Sequence, residues 1–208
     1  MTSFNGKSEF ASPSDRRRAY WHLLLKDHGF LRLLWTHEYE IAPGVFRSNQ
    51  PGPRRFERLA RRGITSILSL RSPGKSIFRL EKERCCQLGL AFHHVTLPGA
   101  QPATRAQLLS LLDTFKIIEK PFVIHCKSGI DRTGFAAFLY LLAETQTSPE
   151  VARKQLSLRY LHLRKSRHGI LDLMADAYLA AHKSTGIGIR GWIETDYDAE
   201  EMRARHRN

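Results

Sequence analysis

The chain has few cysteines, no long apolar run and a shortage of acidic side chains, and each lack excludes something. Cys85, Cys86 and Cys126 are the only cysteines in 208 residues. They make no even, spaced framework of the kind that staples small secreted domains, so a reducing, cytoplasmic setting is expected. No uncharged apolar stretch nears the roughly 18 residues of a membrane-spanning helix, and the opening MTSFNGKSEF has no signal-peptide core. Asp and Glu number 20 against 33 Lys and Arg, a net charge of +13, so the surface should draw anions. Phosphorylated molecules, anionic lipid and nucleic acid all fit that charge, but no ladder of aromatic and basic residues is spaced to stack bases, which makes nucleic acid the least favoured partner. Repeats are absent, and 42% hydrophobic with 25% charged residues suits a globular chain with one core.

Residues 1–14 are small and polar and read as a disordered lead. Residues 15–40 read as a basic amphipathic helical segment, whose stretch 15–36, DRRRAYWHLLLKDHGFLRLLWT, is interrupted at Gly29. Such a segment either packs over the rest of the chain or, through residues 15–36, contacts an anionic membrane peripherally. Residues 41–185 alternate short apolar runs with helical stretches. Strands are expected near 45–47, 64–70, 91–97 and 121–126, and helices near 54–62, 79–88, 104–118, 133–144, 150–161 and 168–182, with Thr104 as an N-cap. This order predicts an α/β fold with a central, mostly parallel sheet of about four to five strands, whose ligands gather at the carboxyl ends of the strands. Gly186, Gly188 and Gly191 then punctuate residues 186–208, which read as a C-terminal tail.

The chemistry is concentrated in VIHCKSGIDRTG, residues 123–134. An apolar strand ends at Cys126, a loop follows, and a helix starts near Asp131 to Thr133, so successive backbone N–H groups can converge on an anion. The helix's positive end, those amides and Arg132 favour thiolate over thiol. The same donors, from Lys127, Ser128, Gly129, Ile130, Asp131 and Arg132, can hold phosphate oxygens, and the planar fork of Arg132 suits two of them. Gly129 can take a positive φ, Gly134 permits close packing at the helix start, and Thr133 can donate to the sulfur.

These residues resemble the Cys-x5-Arg signature of the protein tyrosine and dual-specificity phosphatase superfamily, read here as His125-Cys126-Lys127-Ser128-Gly129-Ile130-Asp131-Arg132-Thr133-Gly134. The likeness is greatest to small bacterial-type dual-specificity domains that open with a segment like FRSNQP. It implies the cysteine-phosphatase fold, a phosphocysteine intermediate on Cys126, a supporting role for His125 beside the thiolate, and neither metal nor organic cofactor. The implied substrates are phosphorylated proteins, with phosphoinositides or inositol phosphates as the alternative. A catalytically weak phosphate-binding module is the second alternative. Rhodanese-like sulfur transfer also uses a cysteine loop after a strand, but Arg132, Thr133 and Gly134 fit phosphate better.

One part of the family pattern is missing. Members place an acidic Asp on a loop roughly 30 residues before the cysteine, as the proton donor to the leaving group. Here FHHVTLPGAQPATR holds no carboxylate, and Asp113 falls inside the following helix. Asp131 is the substitute to consider, either as the acid, as in myotubularin-type phosphatases, or as a carboxylate that stabilises the helix start. His93 and His94 are further candidates, against an ordinary strand role. Lys127 adds a loop cation or is merely solvated. Arg47, Arg71 and Arg105 line the cleft or are surface charges. Asp172 and Asp176 read as a solvated or ion-paired helix face. Cys85 and Cys86 point apart on one helix, leaving open a protective disulfide to Cys126.

Overall fold

The computed structural model describes residues 10, 12–21, 35–73 and 76–207. Most of the lead expected over 1–14, and residues 22–34 of the basic segment, lie outside the described residues. The first helix, α1 (Pro13–Trp21), already begins within that lead. It packs on a later helix, with Ala19 buried and Arg16 paired to Glu83 at 3.5 Å. One face of the basic segment is therefore used by the domain itself.

A helix does not run on to residue 40. Residues 35–38 are irregular, and β1 (Tyr39–Ala42) pairs antiparallel with β2 (Val45–Ser48) around Gly44, whose φ is 73°. The sheet continues through β3 (Ser66–Ser69), β4 (Ala91–His94) and β5 (Phe122–His125), in the order β1-β2-β5-β3-β4. All pairs except the first hairpin are parallel. Every residue of β3 and β5 is buried, as expected of strands covered on both faces.

Helices α2 (Pro53–Arg61) and α3 (Ser76–Gln87) cover one face, where Phe56, Leu59, Ile67, Cys85 and Val123 form a compact cluster. The opposite face carries the larger core, built by α4 (Arg105–Ile117), α5 (Asp131–Glu144) and the helices after it. Thr104 caps α4, its hydroxyl accepting from the Gln107 amide while the Gln107 side chain accepts from the Thr104 amide.

After α5 the single helix expected over 150–161 is broken. α6 (Pro149–Arg153) stops, and a short 3-10 turn at Leu158–Tyr160 follows. The cause is tertiary: the guanidinium of Arg47 takes the Gln155 carbonyl at 2.9 Å and lies 3.9 Å over the Tyr160 ring, holding this stretch out of helical register. α7 (Ile170–Thr185) ends at Gly186 in the left-handed region, φ 72°.

The core does not stop there. Residues 186–208 contain α8 (Ile189–Thr195) and α9 (Ala199–Arg207), and Ile189, Trp192, Ile193, Tyr197 and Met202 are buried in the main core. Gly186 and Gly188 cap the flanking helices and Gly191 lies within α8, while apolar residues spaced three and four apart decide the packing. Trp192→Ala should therefore cost about 3–5 kcal/mol of stability. A denaturant midpoint close to that of the native chain would show residues 186–207 to be dispensable to the core.

Candidate active site

β5 carries Cys126 to the carboxyl end of the sheet's middle strand. His125 stands in register with Ser48 of β2 on one side and Ser69 of β3 on the other. Loop 127–130 then turns into α5. Gly129 makes the turn possible: its φ is 77°, its amide donates to Cys126 Sγ at 3.3 Å, and a Cβ there would lie 2.5 Å from the Asn49 nitrogen. Gly134 lets α5 approach the 155 turn, since a Cβ would meet the Gln155 carbonyl oxygen at 2.7 Å.

Cys126 is 2% exposed. Burial alone would push its thiol pKa up. The Arg132 guanidinium, the Thr133 hydroxyl and the amides of Gly129 and Thr133 outweigh this and bring it from 9.0 to about 7. Thr133 Oγ1 is buried and has no other hydrogen-bond partner, which leaves it to the sulfur. Arg132 Nη1 reaches back to the Leu70 carbonyl at 3.4 Å, at the end of the β3 run.

Two buried groups hold the loop from beneath. Arg47, 0% exposed, donates through Nη2 to the carbonyls of Gly129 (2.9 Å) and Ile130 (3.1 Å), and through Nη1 to the carbonyl and side chain of Gln155. It is a core residue and not a surface charge. Burial lowers its pKa to about 10, partly opposed by Tyr160 and Cys126, so it stays a cation at neutral pH. On the other side His125 donates from Nδ1 to its neighbour's carbonyl, Cys126 O, at 3.1 Å, while Nε2 lies against Glu81. Glu81 also accepts from Ser69 and Gln50, at 3.3 Å each.

Asp131 faces two histidines. Oδ1 accepts from His162 Nδ1 at 2.8 Å, and Oδ2 lies 3.7 Å from His168 Nε2. His162 also meets Asp172 through Nε2 at 2.6 Å, and Arg153 ties Asp172 to Asp176. Burial would lower the His162 pKa, but its bonds to the two carboxylates raise it from 6.5 to about 9. Asp172 is thus a buried ion-pair partner, 2% exposed, and only Asp176 of that helix face is half open. A cavity of about 750 Å³ opens beyond His162, between α6 and α7, and does not include Cys126.

The remaining expected residues are scattered. Lys127 and Ser128 are half-buried; the Lys127 carbonyl accepts from the Gln50 amide at 3.3 Å, and Ser128 Oγ from the Ile130 amide at 3.4 Å. His94 is engaged by the Arg71 carbonyl at 2.6 Å and Thr96, and burial lowers the pKa of His93. Arg71 is buried and donates to Gln50, while Arg105 donates to the Tyr197 carbonyl at 2.7 Å. Cys85 is buried on the other sheet face and Cys86 exposed, and all three cysteines are free thiols. Local sequence pattern does not single out Gln155, Glu81, His162 or His168. Among the described residues no cluster of three or more His, Cys, Asp or Glu is placed to hold a metal ion.

Sheet order, loop and first helical turn are those of the cysteine-dependent phosphatases of the tyrosine and dual-specificity class. The crystal structure of TpbA from P. aeruginosa is 18% identical, with 83% of this chain and 92% of that one covered and a TM-score of 0.55. Kinase associated phosphatase, KAP, is 19% identical over 71% and 96%, TM-score 0.54. The core catalytic domain of the PP-IP phosphatase SIW14 from S. cerevisiae is 19% identical over 72% and 92%, TM-score 0.52. At these identities the likeness shows the fold. No curated protein sequence matches. The family model described as polymorphic toxin system, DSP-PTPase phosphatase, matches residues 43–146, half of the chain, and the chain belongs to that family.

Two outcomes test this geometry. Gly129→Ala forces a positive φ and a backbone clash, so it should cost at least about 1–3 kcal/mol and depress turnover; unchanged melting and rate would show the loop to be slack. His162 binds its proton more tightly folded than unfolded. Its contribution to stability is therefore complete below pH 6.5 and is lost as pH rises through about 9. Denaturation measured from pH 6 to 10 should show this decline, and His162→Gln should flatten it.

Proposed function

We propose that this phosphatase hydrolyses phosphomonoesters through a phosphocysteine on Cys126, with Arg132 as the clamp for the moving phosphoryl group. The observation that carries this reading is the sulfur itself: buried, with a thiol pKa brought to about 7 by the guanidinium and amides an incoming phosphate would meet. The thiolate attacks phosphorus, the S–P bond forming as the bond to the leaving oxygen breaks. Arg132 and the 127–132 amides hold the equatorial oxygens, whose charge they balance better in the transition state than in the free substrate. Water then cleaves the S–P bond, and Thr133 and the Gly129 amide ease departure of the thiolate. His125 keeps the loop's first peptide in place, and Asp131 organises the protons at its mouth.

A loop at 98–105 without a carboxylate favours leaving groups of low pKa, so phosphotyrosyl substrates are preferred over alkyl phosphates. TpbA has been solved in complex with pTyr, and SIW14 is described as a PP-IP phosphatase, so inositol phosphates are the second reading, supported by the extra loop cation of Lys127. Peripheral membrane contact through residues 15–36 belongs to that second reading. Parallel assays on a phosphotyrosyl peptide, inositol phosphates and phosphoinositide vesicles separate the two.

Cys126→Ser should abolish turnover on every substrate, and Arg132→Lys should lower it about 10²–10³-fold. The rate should rise with pH through about 7 as the sulfur ionises. Rapid-quench kinetics should give a burst of product equal to the enzyme present. A chain that binds phosphate without any burst would be a recognition module, and a Cys126→Ser chain that still turns over would end the phosphocysteine reading.

A further inference from the structure

Resting on that phosphocysteine reading, we infer that His168 is the proton donor to the leaving group, in place of the carboxylate that the 98–105 loop lacks. His168 precedes α7, yet its ring is carried to the opposite loop: Nδ1 lies 2.8 Å from the carbonyl oxygen of Gly99. Gly99 is where two side chains converge. A Cβ there would stand 3.2 Å from His168 Nδ1 and 3.7 Å from Arg132 Cδ, so the imidazole sits beside the residue that clamps phosphate. Bare glycine eases the close approach of the imidazole, while Arg132 lies at ordinary contact distance.

The hydrogen bonds fix which nitrogen works. A carbonyl can only accept, so Nδ1 carries a hydrogen in both protonation states, and Nε2 is the atom that gains and loses a proton. The charged groups facing Nε2 are Asp131 from α5, with Oδ2 at 3.7 Å, and Arg167 from its own loop, with Nε at 3.2 Å; Arg132 flanks the Nδ1 side. Arg167 donates to the neutral ring from an exposed position. At 3.7 Å Asp131 Oδ2 makes no full hydrogen bond to Nε2, so a proton carried there is not committed to the carboxylate. The His168 side chain is 23% exposed, open enough to meet substrate.

Three other candidates are engaged elsewhere, and burial disfavours the charged form of His93. Asp131 Oδ1 is bonded to His162, which keeps its own proton up to about pH 9. His94 is bound to the Arg71 carbonyl, and Asp113 pairs with Arg190. In the first step His168 Nε2–H passes its proton to the leaving oxygen as the P–O bond breaks and the S–P bond forms. In the second, neutral Nε2 takes a proton from water as its oxygen attacks phosphorus. The S–P bond then breaks, releasing phosphate, the thiolate and a recharged imidazolium. Asp131 is the positioning residue for this donor.

The test measures kcat/KM and kcat against pH for aryl and alkyl phosphates of graded leaving-group pKa, in the native chain, His168→Asn, His168→Gln, Asp131→Asn and Cys126→Ser. Both His168 variants should lose about 10²–10⁴-fold on the poorest leaving groups and far less on the most acidic, giving a steeper leaving-group dependence. The fall of kcat at high pH should vanish in them while the rise near 7 persists. Burst amplitude on the most acidic aryl phosphate counts folded sites in each variant. A uniform loss across leaving groups would make His168 merely structural and overturn the assignment. So would a steepened dependence in Asp131→Asn with none in the His168 variants, which would return the role to the carboxylate. Turnover by Cys126→Ser would instead sink the phosphocysteine reading underneath.

Discussion

Peptide N–H groups can face an anion only if the carbonyls of the same stretch face elsewhere, and a buried carbonyl needs a donor. An unsatisfied one costs about 1–3 kcal/mol, enough to let a short loop turn over and lose its shape. Arg47 meets that need. One planar fork takes the carbonyls of Gly129 and Ile130 from below and fastens the Gln155 turn with its other arm. A lysine has no such geometry, and a neutral donor would leave the thiolate's field unanswered. A buried guanidinium is costly to desolvate, so it persists where its N–H groups find partners. Four hydrogen bonds and the face of Tyr160 supply most of those partners.

The same logic extends to the other rim of the loop. Asp131 begins α5, where a carboxylate is favoured by the helix's positive end. Here it does more, because His162 and Asp172 link it to Arg153 and so to α6 and α7. The order of charges is strict: carboxylate, imidazolium, carboxylate, guanidinium. Each charge is buried next to its opposite, which is what makes burial of any of them bearable. The loop is thus held by a guanidinium under its middle and an ion chain at its end, and sheet strands β2 and β3 fix its two flanks.

The loop after Cys126 was legible because its pattern is contiguous: strand, cradle and helix start fall within residues 123–134, and local rules suffice there. Alternating apolar and helical runs likewise carried the parallel sheet. What was not legible depended on distance along the chain. Arg47 is 82 residues from Gly129, and a single arginine after an apolar strand residue is usually solvated, so nothing local marked it as core. His162 and His168 acquire meaning only when α7 folds back against α5. β1 was hidden in four residues, YEIA, too short to outweigh the basic helical pattern before it. At the C-terminus the glycines suggested a tail, yet Ile189, Trp192 and Ile193 recur at helical spacing and are the stronger signal, because burying them is worth more than three glycines cost.

The missing loop acid also bears on which substrates suit the site. The thiolate becomes the major form only above about pH 7, so the nucleophile is scarce in acid. An imidazole donor keeps its proton only over a bounded range, unlike a carboxylate whose pKa burial can raise far. Where the leaving group is acidic enough to depart as an anion, the proton donor is not needed. Aryl phosphates and phosphoanhydrides are such substrates, and alkyl phosphates are not. A surface carrying thirteen excess positive charges adds a general attraction for anions, but it does not distinguish among them. Discrimination must come from the mouth of the loop, where Gly99, Arg132, Asp131 and His168 meet, and where the identity of one proton donor decides which phosphates can be cleaved and which can only be bound.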